Sequence, residues 1–571
     1  KIPSLIQKNA WEDTSMICKI YNEKFYISLA FFFFASLFYL YNVHSTLTLI
    51  PIAGHDDGLF VHLAKKIVNG KWLGDFNQFT LMKGPGFPIL LAFLNSLKIP
   101  INVFYAILII FTCNYLRITL AKNLGNQLFP LFIVLLIMWY PGYDSIRILR
   151  NPFLVWMIIL LLAILLDFYY SLNKQKIFNK KLFFFFALIL GFVCLIREEW
   201  ITYVIPILII LFVIIYSNFS IILSEVNSFK LRIKYSSVFI FLLFFPYILI
   251  SFINLYNYGS FLANDYKEKN FIETLKILQS VRTDMNYDDG FVFVPSDVRH
   301  KLYKLSPTFR ELKEFLDDDN APLLGWQNPS CERFSETCGD YGGNWFFWAL
   351  RDAVFLNGGY ESPKKASDYY KKLNEEITDL CASKKLTCKK KYTVLPEFYQ
   401  RHISNIFNSI ILSFKKITLI SPPDLYSRPS MGSKKQLESY AKFLGLTKYT
   451  PSKGETELHK NKQKKPLKIL HIKLKKFLNF VYSLILPFIF TIGFFSFIFY
   501  LFLKKSKNNL SLILFILWSI AFIRIILISI ASEATHAYVN HSYLAFSGPI
   551  LILVSTLSIF IFLKERFKGK N

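Results

Sequence analysis

Residues 230–257 read KLRIKYSSVFIFLLFFPYILISFINLYN. Lys230, Arg232 and Lys234 crowd one end, and from about Ser237 to Asn257 the residues are overwhelmingly apolar. That is the length, roughly 20 residues, that a helix needs to cross a bilayer hydrocarbon core of about 30 Å. Comparable runs lie near 25–43, 102–120, 127–141, 152–170, 182–197, 200–217, 477–503, 511–531 and 543–563. With the first they make about ten expected transmembrane helices, too many and too far from the N-terminus to be one signal peptide. Composition agrees: 53% of the 571 residues are hydrophobic, 18% are aromatic and 60 are Phe, which excludes a single soluble core.

The basic end of the quoted stretch sets the orientation. Lys and Arg in short loops mark the cytoplasmic side of a membrane protein. Arg117 and Lys122, the runs Lys174–Lys181 and Lys230–Lys234, Lys504–Lys507 and the tail Lys564–Lys570 therefore fall inside, together with both termini. The segments 44–101, 142–151, 198–199, 258–476 and 532–542 fall outside. Much of the formal charge of +27 sits in these cytoplasmic loops, so it reports topology rather than a nucleic-acid partner. The apolar stretch Phe87–Leu97 is too short for a span, and counting it would invert every later loop; it is expected to lie in the outer interface. Asp57–Gly70 is a second interfacial candidate, with Leu59, Phe60, Leu63 and Ile67 at helical spacing.

The expected fold class is thus an all-α polytopic membrane protein with a large extracytoplasmic domain, mainly α or α+β. Three parts follow: an N-terminal membrane core, 1–257; the outer domain, 258–476; and C-terminal spans, 477–571. Cys331, Cys338, Cys381 and Cys388 all fall in the outer domain, in two local pairs. Cys331–Cys338 and Cys381–Cys388 is the simplest of three connectivities, and it requires an oxidising compartment. A zinc site is the alternative, against which stand the long spacing and the absence of a nearby His in sequence. In the same domain a buried helix is expected around Trp345–Phe355 and an amphipathic one over Ser367–Leu380, with a start at Ser362-Pro363. Residues 430–470 are polar and lysine-rich and read as a loop or connector.

The chemistry concentrates in the first outer loop. Gly54-His55-Asp56-Asp57-Gly58 puts adjacent carboxylates directly after the first span, and Lys83-Gly84-Pro85-Gly86-Phe87-Pro88 sets a cation before a Pro/Gly turn. A carboxylate takes a proton from an acceptor hydroxyl, and a lysine neutralises a departing phosphate. The bland alternative is that Asp56 or Asp57 caps the following helix.

The order of these features resembles the GT-C glycosyltransferases, in particular the protein O-mannosyltransferase and aminoarabinose-transferase branch. Those enzymes share a cytoplasmic N-terminus, one span, an outer loop opening on an acidic pair, an interfacial helix ending near Gly, a Lys-Pro-Pro-like turn and another interfacial helix. The matching text is Asp56-Asp57, Ala64–Gly70 and Lys83–Leu90, continued by Asp144-Ser145-Ile146-Arg147 and Leu195-Ile196-Arg197-Glu198-Glu199. The likeness covers about the first 200 residues. The acidic pair here is Asp-Asp rather than Asp-Glu, and the prolines are split by Gly86-Phe87.

The resemblance implies transfer of a sugar from a polyprenyl-phosphate donor to a lipid, glycan or protein acceptor on the outer face, in an envelope such as the bacterial inner membrane. Asp56 would be the general base and Asp57 its partner, and two adjacent Asp fit either direct base chemistry or a divalent-cation ligand set. Lys83 would contact the donor phosphate, a task open also to Arg147, Arg150 and Arg197 at the outer helix ends and to Arg524. Arg524, within a span about 10 Å from its outer end, either faces a partner or cavity or snorkels to the interface. His55, Asp144, Glu198 and Tyr543 are accessory candidates, whereas Glu533, His536 and His541 read as plain loop residues, with metal ligation by the two histidines five apart as the alternative. The competing classes are a transporter, with its site at the bilayer midplane, and a sensor or assembly protein whose outer domain binds a ligand.

Overall fold

The computed structural model describes residues 3–143, 147–226, 228–285, 291–332, 334–343, 345–394, 400–422, 429–452, 466–503, 509–535, 539 and 541–568. Among these the regular structure is helical, and extended backbone occurs only as isolated bridges. The first half of the chain forms α1 (Pro3–Val43), α2 (Asp57–Val68), α3 (Gly86–Ser96), α4 (Ile101–Leu124), α5 (Leu128–Met138), α6 (Asn151–Tyr170), α7 (Lys180–Cys194), α8 (Ile201–Ser217), α9 (Phe219–Glu225) and α10 (Phe229–Tyr258). Both short helices expected in the first loop, α2 and α3, are present, and they pack on each other.

A polar domain follows, built on α11 (Lys269–Ser280), α12 (Ser296–Leu305), α13 (Trp345–Leu356) and α14 (Pro363–Ala382). Its core is separate from that of the long helices and includes Phe271, Leu278, Leu302, Phe346, Leu350 and Leu373. Helix α14 starts where the sequence places it: the Ser362 hydroxyl accepts from the Lys365 amide, and Pro363 takes the first turn, where its missing N–H costs nothing. The buried Arg299 guanidinium bonds both Asp317 and Asp340 at 2.7 Å, so its charge is compensated inside the core. The two disulfides form as paired in sequence, Cys331–Cys338 and Cys381–Cys388.

The segment after the domain departs from expectation. Helix α15 (Gln400–Ile417) lies along the last spans, with Ser409 bonded to Glu533 and Ser413 to Ser529, while Ile403, Phe407 and Ile411 form an exposed apolar stripe. Residues 430–452, read as a connector, instead hold α16 (Lys434–Phe443), closed by a capping box between Ser433 and Gln436. They return to the first loop: Leu49 N–H donates to Ser430, Met431 N–H to the Leu49 carbonyl, and Thr450 N–H to the Leu47 carbonyl. The Lys65 ammonium of α2 bonds Ser439 and lies over the rings of Tyr440 and Phe443. A lysine-rich composition concealed an amphipathic helix whose Leu437, Tyr440 and Ala441 are buried. Residues 453–465 lie outside the described set.

The chain ends in α17 (Pro466–Leu503), α18 (Asn509–Thr535) and α19 (Ser547–Lys568). Among the described residues seven helices are long and apolar enough to cross a membrane, and eight if α8 and α9, bent by 71° at Asn218, are one span. Helix α6 is enclosed by α4, α7 and α8, and α19 by α5, α17 and α18, so these two form the interior of the bundle. At Gly493 of α17 a Cβ would stand 2.5 Å from the Ser555 side chain, so small residues let α17 and α19 approach closely. Helices α1 and α10 form the periphery and turn Phe32, Phe33, Phe241, Phe244 and Phe252 outward. A soluble protein rarely presents apolar patches of that extent, whereas lipid accepts them without cost. Two of the stretches expected to span form helices short of a crossing: α5 with 11 residues and α7 with 15.

Candidate functional site

Asp56 sits at the N-cap position of α2, yet its side chain makes no capping hydrogen bond. Its Oδ1 accepts instead from Lys83 Nζ at 2.5 Å. Lys83 also donates to the His55 carbonyl and lies over the rings of Phe60 and Trp348, at 5.3 and 5.6 Å. The side chain of Asp56 is 31% exposed and that of Lys83 10%, so the pair is open on the carboxylate side. Burial alone would raise the Asp56 carboxyl, but the charge and hydrogen bond of Lys83 outweigh it and hold the group below the usual carboxylate range. Burial pushes the Lys83 ammonium down, against the pull of Asp56. The imidazole of His55 is also lowered, chiefly by burial, and packs against Trp326 and Trp348.

Asp57 points the other way and is fully buried. Arg147, 90 residues further on, donates to its Oδ2 through Nε at 2.9 Å and through Nη2, and a backbone bridge from Thr48 to Arg147 holds the two loops together. The Tyr440 hydroxyl, from α16, donates to the Asp57 carbonyl. Burial raises the Asp57 carboxyl to about 6 despite Arg147, and its Oδ1 has no hydrogen-bond partner among the described residues. The two adjacent acids are therefore unlike: one partly exposed and held low, the other buried and held high.

The turn after Lys83 is locked onto the loop between α7 and α8. A Cβ on Gly84 would lie 2.2 Å from the Leu195 carbonyl oxygen, one on Gly86 would lie 2.9 Å from it, and Gly86 N–H donates to that oxygen. Glu198 Oε1 accepts from Gly84 N–H at 2.8 Å, while its carboxylate takes a two-pronged bond from Arg150 at 2.6 and 2.7 Å. Gly84→Ala should thus lower stability by about 1–3 kcal/mol, because the blocking atom is backbone and cannot swing aside. Thermal melting in detergent measures this, and a wild-type transition would refute the close approach.

Arg197 and Arg524 meet over Glu199, whose Oε1 lies 2.8 Å from the first and 2.9 Å from the second. Burial raises the Glu199 carboxyl, but these arginines bring it to about 2. Arg197 further bonds Asn151 and lies over the Tyr543 ring. Arg524 reaches the Tyr543 carbonyl at 3.4 Å and stays 5% exposed, so it is held by a partner rather than snorkelling. Glu533 accepts from the Ser409 hydroxyl, and His541 opens the short helix His541–Leu544 that carries Tyr543. Asp144 and His536 fall outside the described residues.

One chain of contacts joins His55, Asp56, Lys83, Arg150, Glu198 and, through residues 196–199, Arg197, Arg524 and Tyr543, with Asp57 and Arg147 adjoining at Asp56. Comparison with protein-family models, with curated proteins and with solved structures gave no match. Sequence reasoning did not single out Glu199 as the shared partner of two arginines, Tyr440, or the indoles of Trp326 and Trp348. The dense aromatic text Trp345-Phe346-Phe347-Trp348 was a signal for the last of these, absorbed there into a buried helix. Among the described residues no three His, Cys, Asp or Glu side chains converge as a metal site, and the carboxylates of Asp56 and Asp57 face different cations. Beside Arg147 lies a cavity of about 50 Å³ lined by Asn42, Asn102, Tyr105 and Trp156 at the ends of α1, α4 and α6. It has room for a few waters, not a sugar.

Proposed function

We propose that this chain is a membrane glycosyltransferase of GT-C type, moving a sugar from a polyprenyl-phosphate donor to an acceptor on the extracytoplasmic side. The observation that carries this reading is the pairing of Asp56, one-third exposed and without capping duty, with Lys83 beneath the polar domain. In the proposed reaction the donor phosphate draws Lys83 away from Asp56. The carboxylate, no longer held by the ammonium, regains basicity and takes the proton of an acceptor hydroxyl. The acceptor oxygen forms a bond to the anomeric carbon as the carbon–oxygen bond to phosphate breaks. The electron pair leaves on the polyprenyl phosphate, whose charge Lys83 stabilises in a partly dry site. Asp57 and Arg147, and Arg150 with Glu198, hold the loops that carry these groups.

The reading includes a ten-span topology that counts α5, α7 and the α8–α9 pair as crossings, with both termini cytoplasmic and the disulfide-bearing domain in an oxidising periplasm-like space. Single cysteines near Lys176 should then react with an impermeant reagent only from the cytoplasm, and one near Gly454 only from outside. Labelling at Gly454 from the cytoplasm would place Asp56 and Lys83 on the wrong side for this chemistry. The transporter reading is disfavoured because the ion pairs of Asp56, Asp57, Glu198 and Glu199 gather at the domain end of the bundle rather than midway along it. The deciding experiment is incubation of purified protein with a panel of polyprenyl-phosphate sugars. Free polyprenyl phosphate should be released from one of them, and folded protein that releases none would overturn the assignment.

A further inference from the structure

Three indoles of the polar domain stand beside the Asp56–Lys83 pair. Trp326 and Trp345 have ring centroids 5.5 Å apart, and Trp326 and Trp348 lie 6.4 Å apart with planes only 13° from parallel. All three are half-buried, so part of each indole reaches solvent. Trp348 is the indole 5.6 Å from the Lys83 ammonium, and both Trp326 and Trp348 touch the His55 ring. The row therefore leads from the domain to the reacting pair.

Its orientation is fixed by polar bonds that a merely packed cluster does not require. The Trp326 Nε1–H donates to Asp352 Oδ2 at 3.0 Å, and the other oxygen of Asp352 accepts from Gln78 at 2.9 Å. The neighbouring Arg351 donates to the Gln78 carbonyl and pairs with Asp265, so the domain is clamped to the loop that carries Lys83. Flat apolar faces rimmed by a carboxylate, an amide and an imidazole suit a pyranose: its ring C–H face packs on indole while its hydroxyls reach polar neighbours. An interfacial tryptophan belt would face the bilayer rather than Asp352, His55 and Lys83.

We propose that Trp326, Trp345 and Trp348 form a platform that binds a pyranose ring next to Asp56. The proposal rests on the glycosyltransferase reading for its purpose but on these contacts for its existence. The ring belongs either to an acceptor glycan or to the sugar of the donor. Both sources are tested by saturation-transfer NMR and titration calorimetry on full-length protein in detergent. The probes are maltotetraose, cellotetraose, chitotetraose and mannotetraose in one arm and polyprenyl-phosphate mannose in the other.

Saturation should reach sugar-ring C–H protons of at least one probe. Trp348→Ala should weaken that binding roughly tenfold, and Trp348→Phe, which keeps an aromatic face, should recover part of it. An effect on a free saccharide assigns the platform to the acceptor, and an effect confined to the lipid-linked probe assigns it to the donor sugar. The proposal is overturned if every probe fails to bind wild-type protein, if Trp348→Ala leaves affinity unchanged, or if saturation reaches only prenyl protons. Saccharide binding without donor turnover would instead reject the enzyme reading and leave the platform standing.

Discussion

Asp56→Asn should lower turnover of a polyprenyl-phosphate sugar by about 10²- to 10⁴-fold, the usual worth of a positioned general base, while the protein stays folded. The substitution keeps the shape of the side chain and its ability to accept a hydrogen bond from Lys83, and removes only basicity. Asp56 caps no helix, and in the variant the Lys83 ammonium keeps the His55 carbonyl and the new side-chain amide oxygen as acceptors. Lys83→Ala acts on the other half of the pair. It removes a phosphate contact made in the bound donor and strengthened as the leaving group departs, so donor affinity and turnover should both weaken. Lys83→Arg should fall between, since the charge survives in a different geometry. Donor-turnover kinetics at matched protein levels distinguish these outcomes. Near wild-type turnover in Asp56→Asn would remove Asp56 from its role, and the same result in Lys83→Ala would defeat the proposed function.

Glu198→Ala should destabilise the fold by about 3–5 kcal/mol, the cost of stranding one member of a buried ion pair. The Arg150 side chain is 9% exposed and bonds both Glu198 oxygens, so the truncation leaves a buried guanidinium bonded to the Ile196 carbonyl and lying over the Phe60 ring, with the Glu199 and Asp56 carboxylates acting on it only through space. It also deprives the Gly84 amide of its acceptor. Glu198→Gln keeps an acceptor for Gly84 and loses the charge, so its loss should be smaller. Melting in detergent, read alongside yield in membranes, gives the order wild type, Gln, Ala. Equal stability of Glu198→Ala and wild type would mean that the turn at 83–88 is held without this carboxylate. Catalytic loss in either variant follows from a displaced Lys83, and for that reason stability is the measurement that bears on Glu198.

Several of these features are legible in the sequence because they are local. A run of 20 apolar residues has one low-energy environment, so the long helices α1, α4, α6, α10, α17, α18 and α19 fall close to the stretches read for them. Cys331–Cys338 and Cys381–Cys388 are close in sequence and pair with the nearest partner. Helix α14 announces itself through Ser362 and Pro363, and α2 and α3 through their apolar spacing. Helix α16 was equally local, with its capping box and buried Leu437 and Tyr440, but lysines on its polar face masked the pattern.

The pairing of charges had to wait for the fold. Adjacent Asp56 and Asp57 carry the same functional group, and sequence offers no means to tell which would cap, which would ionise and which would be buried. Their fates diverge because Lys83 and Arg147, 27 and 90 positions away, approach from different loops. Likewise Glu199 becomes the common partner of Arg197 and Arg524 only because α18 packs on α8. Burial then decides the electrostatics: desolvation lifts Asp57 to about 6, while Lys83 outweighs desolvation at Asp56. Residue type and hydrophobic length, which act over one or two turns, determined the helices and the place of the acidic pair; ion-pair choice, dielectric and the indole row beside Lys83 depend on distances between remote segments, and only the tertiary structure decided them.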